Sequence, residues 1–399
     1  MEEWKTYTLG DICDLIPGFA FKSSEFGTYG SKVIKIKDIQ PPYVLPTELQ
    51  GVNLGRYDKT RLTKYLVNYG DFVLAMTGAT IGKIGRYIGS EPVYINQRVL
   101  MFKPKNIVDK NFIYYSITGK QFSQFIANHI DSETAQPNIS AKSVGEYIIT
   151  LPNIKEQRQI GLILKSLDDK IELNQKINDN LEQQAQALFK SWFIDFEPFK
   201  DGEFIESELG LIPKGWVIKN LLDISNIFDS KRKPLSAIQR QDMKKLYPYY
   251  GATSIMDYVG SYIFDGIYLL MGEDGSVVNE NGNPILQYVE GKFWPNNHAH
   301  VLQGREGVTT EMLYCMLKDY NVTSIVTGAV QAKISQSNMK KILFPIPQID
   351  ILDDFSSFIS PMFSKIRSIK VENSILERTR DVLLPKLMSG ELKINDLTK

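Results

Sequence analysis

Apolar positions set the first reading of this chain. From Glu156 to Phe193 they step by four and three: Ile160, Leu164, Leu167, Ile171, Asn174, Asn178, Leu181, Ala185, Leu188 and Trp192. Eight of these ten slots are apolar, which predicts a long helix with a heptad seam. A second stretch has the same rhythm, with Phe355, Ile359, Met362, Ile366, Ile369, Asn373, Leu376, Arg380, Leu383 and Leu387, and again eight of ten are apolar. Two equal seams in one chain predict an antiparallel intramolecular coiled coil. Asn178 and Asn373 fall at the same slot and are candidates for setting register, because an amide left unpaired penalises wrong alignments. Arg380 breaks the apolar pattern and predicts a loose end. Ser360-Pro361 reads as an N-cap followed by a first-turn proline, so the second helix is expected to break or kink there.

Elsewhere the pattern is that of strands. Val33–Ile36, Asp71–Met76, Val99–Phe102 and Ile148–Leu151 read as strands in the first part of the chain. Tyr262–Met271, Ile285–Val289 and Ile342–Ile346 do so in the second, while Asn111–Ala127 and Thr310–Leu317 read as helices. The chain also repeats itself. QPNIS at Gln136 returns as QAKIS at Gln331, an offset of 195 that continues without a gap through both helical stretches. Trp4, Leu9, Asp11 and Ile12 return as Trp216, Leu221, Asp223 and Ile224 at an offset of 212, so the length change lies inside the globular parts. Between these anchors DFVLAMTG at Asp71 faintly matches DGIYLLMG at Asp265. The fold expected is mixed α/β: two β-rich domains, separated by two long helices, with pseudo-twofold symmetry. The expected boundaries are 1–151, 152–205, 206–346 and 347–399.

Composition narrows the function. The 399 residues carry 46 basic and 46 acidic side chains, a net charge of +0. A free-standing DNA binder is usually basic, so any nucleic-acid role calls for a larger assembly. Cys13 and Cys315 are too far apart in sequence for metal-ligand spacing and suggest a reduced, cytoplasmic protein. No basic leader or long apolar span is seen.

Gly-rich turns carry basic and amide side chains, the types that meet base edges and phosphates. The candidates are Lys22, Lys83, Arg86, Gln97 and Arg98 in the first part, then Lys231, Arg232, Lys233, Asn296, Asn297 and His298 in the second. Three motifs suggest other chemistry. Gln40-Pro41-Pro42-Tyr43 resembles the amine-binding motif of amino-methyltransferases, but it begins with Gln and lacks a Gly-rich cofactor loop, so a polyproline II turn is expected. GATIGK from Gly78 is one residue short of a phosphate-binding loop. His298 and His300, alternating on one strand face, have no evident third metal ligand.

Four segments together resemble one family. LLPKLMSGEL (Leu383–Leu392), SELGLIPKGW (Ser207–Trp216), LPNIKEQRQIGLILKSLDDKI (Leu151–Ile171) and TAQPNIS (Thr134–Ser140) are similar to signatures of type I restriction–modification specificity subunits. The resemblance covers the whole chain in the family's order. It implies a non-catalytic, DNA-binding subunit whose two target-recognition domains each read half of a split asymmetric site, with the coiled coil setting the spacer. It also implies partners: double-stranded DNA, two copies of the modification (methyltransferase) subunit, and a restriction (translocase and nuclease) subunit. S-adenosylmethionine, ATP and Mg would sit on those partners, with no cofactor or metal in this chain. The competing readings are an adenine-N6 methyltransferase acting through Gln40–Tyr43 and a coiled-coil scaffold indifferent to DNA.

Overall fold

The computed structural model describes residues 4–130, 137–328 and 331–394. The chain divides into two compact units, Met1–Ile171 with Ser374–Lys399, and Glu172–Asn373. The first long helix, Ile154–Phe193, therefore contributes 154–171 to the first unit and 172–193 to the second. The second, Ile349–Met388, contributes 349–373 to the second unit and 374–388 to the first.

In the first unit one five-stranded sheet has the order Cys13–Pro17, Val99–Pro104, Phe72–Ala75, Ile84–Tyr87, Tyr43–Val44. Its central strand explains the apolar run: Phe72 and Leu74 enter one core, Val73 and Ala75 another, so the twofold alternation of a strand fills both faces. A second sheet has the order Phe26–Gly27, Gln50–Val52, Ser31–Ile34, Val93–Ile95, Leu66–Val67. The helix expected over Asn111–Ala127 is two helices, Lys110–Ile117 and Lys120–Asn128. Thr118 and Gly119 interrupt it, Gly119 standing extended as the cap of the second.

The second unit holds a six-stranded sheet in the order Ser225–Ile227, Ala299–Gly304, Phe264–Gly272, Leu286–Pro295, Tyr247–Tyr250, Ile255–Val259. Leu269 and Met271 enter its main core and Leu270 a smaller one, the same division of faces. The two units also share their entrance and exit. Lys5–Thr8 pairs antiparallel with Ile148–Leu151, and Val217–Asn220 pairs in the same register with Leu343–Ile346.

The repeated Ile-Ser has a local cause. Ile139 and Ile334 are core residues, while Ser140 and Ser335 cap the short helices that follow, accepting from the amides of Ser143 and Asn338 at 2.9 and 3.2 Å. The two tryptophans also do like work. Trp216 packs on Phe193, Phe196 and Phe199, with centroids 5.2–5.6 Å apart, where the first long helix ends. Trp4 lies against Gly390, just past the end of the second.

Within each unit the helical segments run antiparallel. Ile160, Leu164 and Leu387 share the first unit's core, and Asp168 meets Arg380 at 2.9 Å. In the second unit Phe193 stacks edge-on against Phe355 at 4.8 Å, and Asn174 Nδ2 donates to Asn373 Oδ1 at 2.7 Å. Asn373 thus finds Asn174, one turn from the slot-mate Asn178, whose Oδ1 is buried with no partner.

Ile171, Phe355, Ile359, Ile366 and Ile369 are also buried; Leu167, Asn178, Leu181, Leu188, Leu376 and Leu383 are half-buried. Met362 is half-buried because Phe363, one position on, occupies the core. A straight helix drifts relative to a strict seven-residue repeat, and the apolar stripe moves with it. The break expected at Pro361 is absent: the helix runs on through it. Pro361 is exposed, so the carbonyl its ring leaves without a donor can meet water, while Phe355, Ile359, Phe363 and Ile366 hold the turns on either side. Both cysteines are buried, and burial pushes their thiols up to about 12.

Candidate nucleic-acid interface

The same loop assembly is built in each unit. In the first, the three residues Asn96-Gln97-Arg98 join Val93–Ile95 to Val99–Pro104. In the second, Asn296-Asn297-His298 join Leu286–Pro295 to Ala299–Gly304. The backbone is bonded alike in both. The Asn96 amide donates to the Ile34 carbonyl and the Asn296 amide to that of Tyr250, each at 2.9 Å and each from a strand paired in parallel.

One residue then ties each turn to the repeated motif. The Met76 amide donates to the Arg98 carbonyl at 2.9 Å, and the Met76 carbonyl accepts from Ile139 at 3.0 Å. Glu273 does both with His298 and Ile334, at 2.8 and 2.9 Å. The amides of Gly78 and Gly275 complete the match, donating to Pro137 and Ala332 at 3.1 and 2.9 Å. Met76 is therefore the counterpart of Glu273, and Ala75 of Gly272. This corrects the faint match of DFVLAMTG with DGIYLLMG, which set Gly78 opposite Gly272, three residues out of step. The residues Thr134, Ala135 and Gln136 of the first motif lie outside the described residues.

Of the side chains nominated from the sequence, Lys22, Lys83, Gln97, Arg98, Lys231, Lys233 and Asn297 are exposed. Lys83 and Arg98 flank the end of the strand Phe72–Ala75, one on each edge, their carbonyls accepting from the adjacent amides of Ala75 and Met76. His298 is half-exposed, and its Nδ1 bonds Asp274.

Three nominees are turned inward. Arg86 is 8% exposed, with its guanidinium 4.0 Å from the Tyr114 ring and with Nε and one terminal nitrogen unpartnered. Arg232 donates to Glu273 and to the carbonyls of Ala299 and Asn297, at 2.7, 2.7 and 3.3 Å. Asn296 is buried, its side-chain oxygen accepting from the His298 amide at 2.8 Å. Arg232 and Asn296 hold the scaffold of the second turn, while Arg86 packs inside the first unit against Tyr114. Sequence reasoning passed over Asn96, the counterpart of Asn296. It also passed over Asn138 and Lys333, which occupy the same motif slot and bridge to Thr77 and Asp274. Their signal was present, at the second of the two variable positions within QPNIS and QAKIS.

Beneath the second turn lies a charged cluster. His300 bonds Asp229 through Nδ1 at 2.6 Å and the Ile334 carbonyl through Nε2 at 2.7 Å. Burial alone would lower the imidazole's pKa; the bond and charge of Asp229, the carbonyl and Glu273 outweigh it, so it lies above the ordinary value. Burial alone would likewise raise that of Asp229, but bonds from His300, Gln336 and the Val301 amide hold it below the usual carboxylate range. Asp229, Glu273 and His300 have ligand atoms close enough for one ion. However, Arg232 already pairs with both carboxylates, Lys333 lies 3.2 Å from Glu273, and His300 Nδ1 is taken by Asp229, so the cluster is an internal ion network and fits a metal poorly. Only His300 lies in the strand; His298 is in the turn, so the two do not share a strand face.

The remaining motifs are structural. Gln40 and Tyr43 bond each other's backbone in both directions, at 3.0 and 2.9 Å, and Gln40 Nε2 donates to Glu48 at 2.7 Å. This is a closed turn instead of an extended polyproline segment. In GATIGK the amides of Gly78, Ile81, Gly82 and Lys83, four of the six, donate to protein carbonyls and so are not turned toward a phosphate.

A family model described as the type I restriction modification DNA specificity domain matches residues 1–183 and again 213–378. The type I restriction enzyme MjaIX specificity subunit of Methanocaldococcus jannaschii is 29% identical over 345 residues, covering 82% of this chain and 78% of that protein. The type I restriction enzyme HindI specificity subunit of Haemophilus influenzae is 24% identical over 472 residues, covering 98% and 100%. Among solved structures, the type I restriction–modification S subunit from M. genitalium is similar in fold, with a TM-score of 0.57, 17% identity and 96% of each chain covered. No described helix is long and apolar enough to cross a membrane.

Proposed function

The chain belongs to the type I restriction–modification DNA specificity family, and from that premise we propose that each globular domain reads one half of a split, asymmetric DNA target. The reading domains are residues 1–151 and 206–346. The helical segments 152–205 and 347–399 set the distance between half-sites and receive two modification subunits. Those subunits carry S-adenosylmethionine and flip and methylate the adenine. A restriction subunit using ATP and Mg joins them, and the assembly works in the cytoplasm. This chain supplies specificity and no catalytic group.

The observation that carries the proposal is the turn built twice on the same backbone bonds, with Gln97 and Arg98 at its exposed positions in one unit and Asn297 and His298 in the other. Arg suits guanine and Asn or Gln suits adenine in the major groove, each good pair contributing about 1–3 kcal/mol of discrimination. Lys22, Lys83, Lys231 and Lys233 supply phosphate contacts. A chain of zero net charge binds tightly only when partner subunits add further phosphate contacts.

The test reconstitutes the full chain with its modification subunit and maps methylated sites by sequencing. Gln97→Ala with Arg98→Ala should relax one half of the target and leave the other intact; Asn297→Ala with His298→Ala should do the reverse. Changes in both halves from either pair, or in neither, would refute the assignment. Adding the same whole number of turns to both long helices should lengthen the spacer. Saturable S-adenosylmethionine binding by this chain alone would favour the methyltransferase reading, against which stands the closed Gln40 turn.

A further inference from the structure

The two long helices span the same 40 positions at an offset of 195, so each contact between them has a counterpart in the other unit. The counterparts have diverged. In the first unit Asp168 is buried, accepting from Arg380 at 2.9 Å and from the Tyr115 hydroxyl at 2.6 Å. The corresponding positions in the second unit are Phe363 and Ala185, 1% and 0% exposed in one apolar core with Cys315. Further along, Leu387 is fully buried in the first unit, whereas its counterpart Trp192 lies across Phe355, Phe358 and Phe199 at 5.6–5.9 Å.

We propose that these differences make each half of the chain reject a second copy of itself, so that a first half accepts only a second half as its helix partner. Consider two first halves paired through their long helices. The segment 179–193 would replace 374–388, setting Ala185 where Arg380 stands. Asp168 would then keep the Tyr115 hydroxyl but lose its ion pair, a buried carboxylate with no cation bonded to it, once in each half of the pair. Trp192 would be forced into the space of Leu387. Now consider two second halves. Arg380 would replace Ala185 and carry a guanidinium into the core of Phe363 and Cys315, while Leu387 in the place of Trp192 would leave a void. Glu182 does not discriminate, because its counterpart Glu377 keeps the carboxylate for Lys318. The selectivity therefore rests on the charged pair, with the bulk at Trp192 and Leu387 in support.

Two sequence-similar halves that could pair with themselves would read a palindrome; mutual rejection keeps the two reading domains in one asymmetric molecule. That consequence rests on the proposed function. The pairing rule does not, and it is tested without DNA.

The experiment uses the full chain with a protease site inserted between Asp201 and Gly202, which are exposed, and cleaved after folding. Preparations carrying different tags on the first half are mixed, partly dissociated, reassociated and captured on one tag. In the unaltered chain no first half bearing the other tag should be captured. Asp168→Phe with Arg380→Ala removes the charged difference between the two units, and should raise capture of like halves by about a hundredfold. Should that variant fail to fold, Ala185→Arg with Phe363→Asp removes the same difference by the opposite chemistry, with the same expected rise. Asp168→Arg with Arg380→Asp preserves the pair and should stay selective. Like-with-like capture from the unaltered chain, or no rise in a folded equalised variant, would overturn the proposal.

Discussion

At one pair of equivalent positions the two units solve the same packing problem with opposite chemistry. The first sets a carboxylate and a guanidinium between its helices and adds a tyrosine hydroxyl; the second fills the same place with Phe363, Ala185 and Cys315. Asp168, Phe363 and Ala185 are all buried and Arg380 is half-buried, so the duplicated backbone does not dictate which solution is used. The first solution specifies its partner through charge, since neither group tolerates burial alone. The second is non-directional and accepts any well-shaped apolar neighbour. The same division, with the units exchanged, recurs under the two equivalent turns. His300 and its ion network in the second unit correspond to Leu100 in the first, a fully buried apolar residue.

The comparison can be broken where it predicts most. Phe363→Ala should destabilise the second unit by about 3–5 kcal/mol through the cavity it leaves. Met362→Ala, beside it on the helix, should have far less effect. Denaturant unfolding of both variants checks this, and equal losses would mean the apolar stripe is misplaced. Next is Arg380→Ala, which strands Asp168 in the first unit and should destabilise by about 2–4 kcal/mol, with Asp168→Phe added to it recovering much of the loss. Hydrogen exchange should localise the effect of Arg380→Ala to the first unit.

A smaller effect separates the units by pH. His300 has a folded pKa above its unfolded value, so its stabilisation is complete below about 6.5 and is lost as pH rises through the raised value. Asp229 has a lowered pKa, so its contribution is present above about 3.9 and is lost as pH falls through the depressed value. Hydrogen exchange between pH 6 and 9 should show progressive loosening around His300, absent from the strand that carries Leu100. His300→Gln should abolish the trend. Smallest of all, Lys165→Ala and Lys176→Ala remove helix-surface pairs with Asp169 and Glu172. Each should shift the unfolding midpoint by no more than about 0.5 kcal/mol in free energy.

Much of this was legible along the chain because it repeats with fixed spacing. The heptad rhythm located both long helices, since burying a helix face requires apolar groups every three or four residues. The strands Phe72–Ala75 and Val99–Pro104 and the Ile-Ser motif were equally plain. The equivalence of Asn96–Arg98 and Asn296–His298 was hidden, because their offset of 200 matches neither 195 nor 212; only the shared hydrogen bonds through Met76 and Glu273 reveal it. Arg86, Arg232 and Asn296 carry the chemistry of DNA readers, yet burial turns them to the scaffold.

The sequence by itself determined the two long helices and several core strands, that the unit occurs twice, and which family's signatures it bears. These depend on local spacing and on residues a few positions apart. The tertiary structure alone decided where each charge finds its partner. Arg380 looked like a flaw in an apolar seam until the fold brought Asp168, 212 residues earlier, within 2.9 Å. Coulomb attraction and the cost of burying an ion depend on distance and surroundings in space, and neither is encoded in the order of residues along the chain.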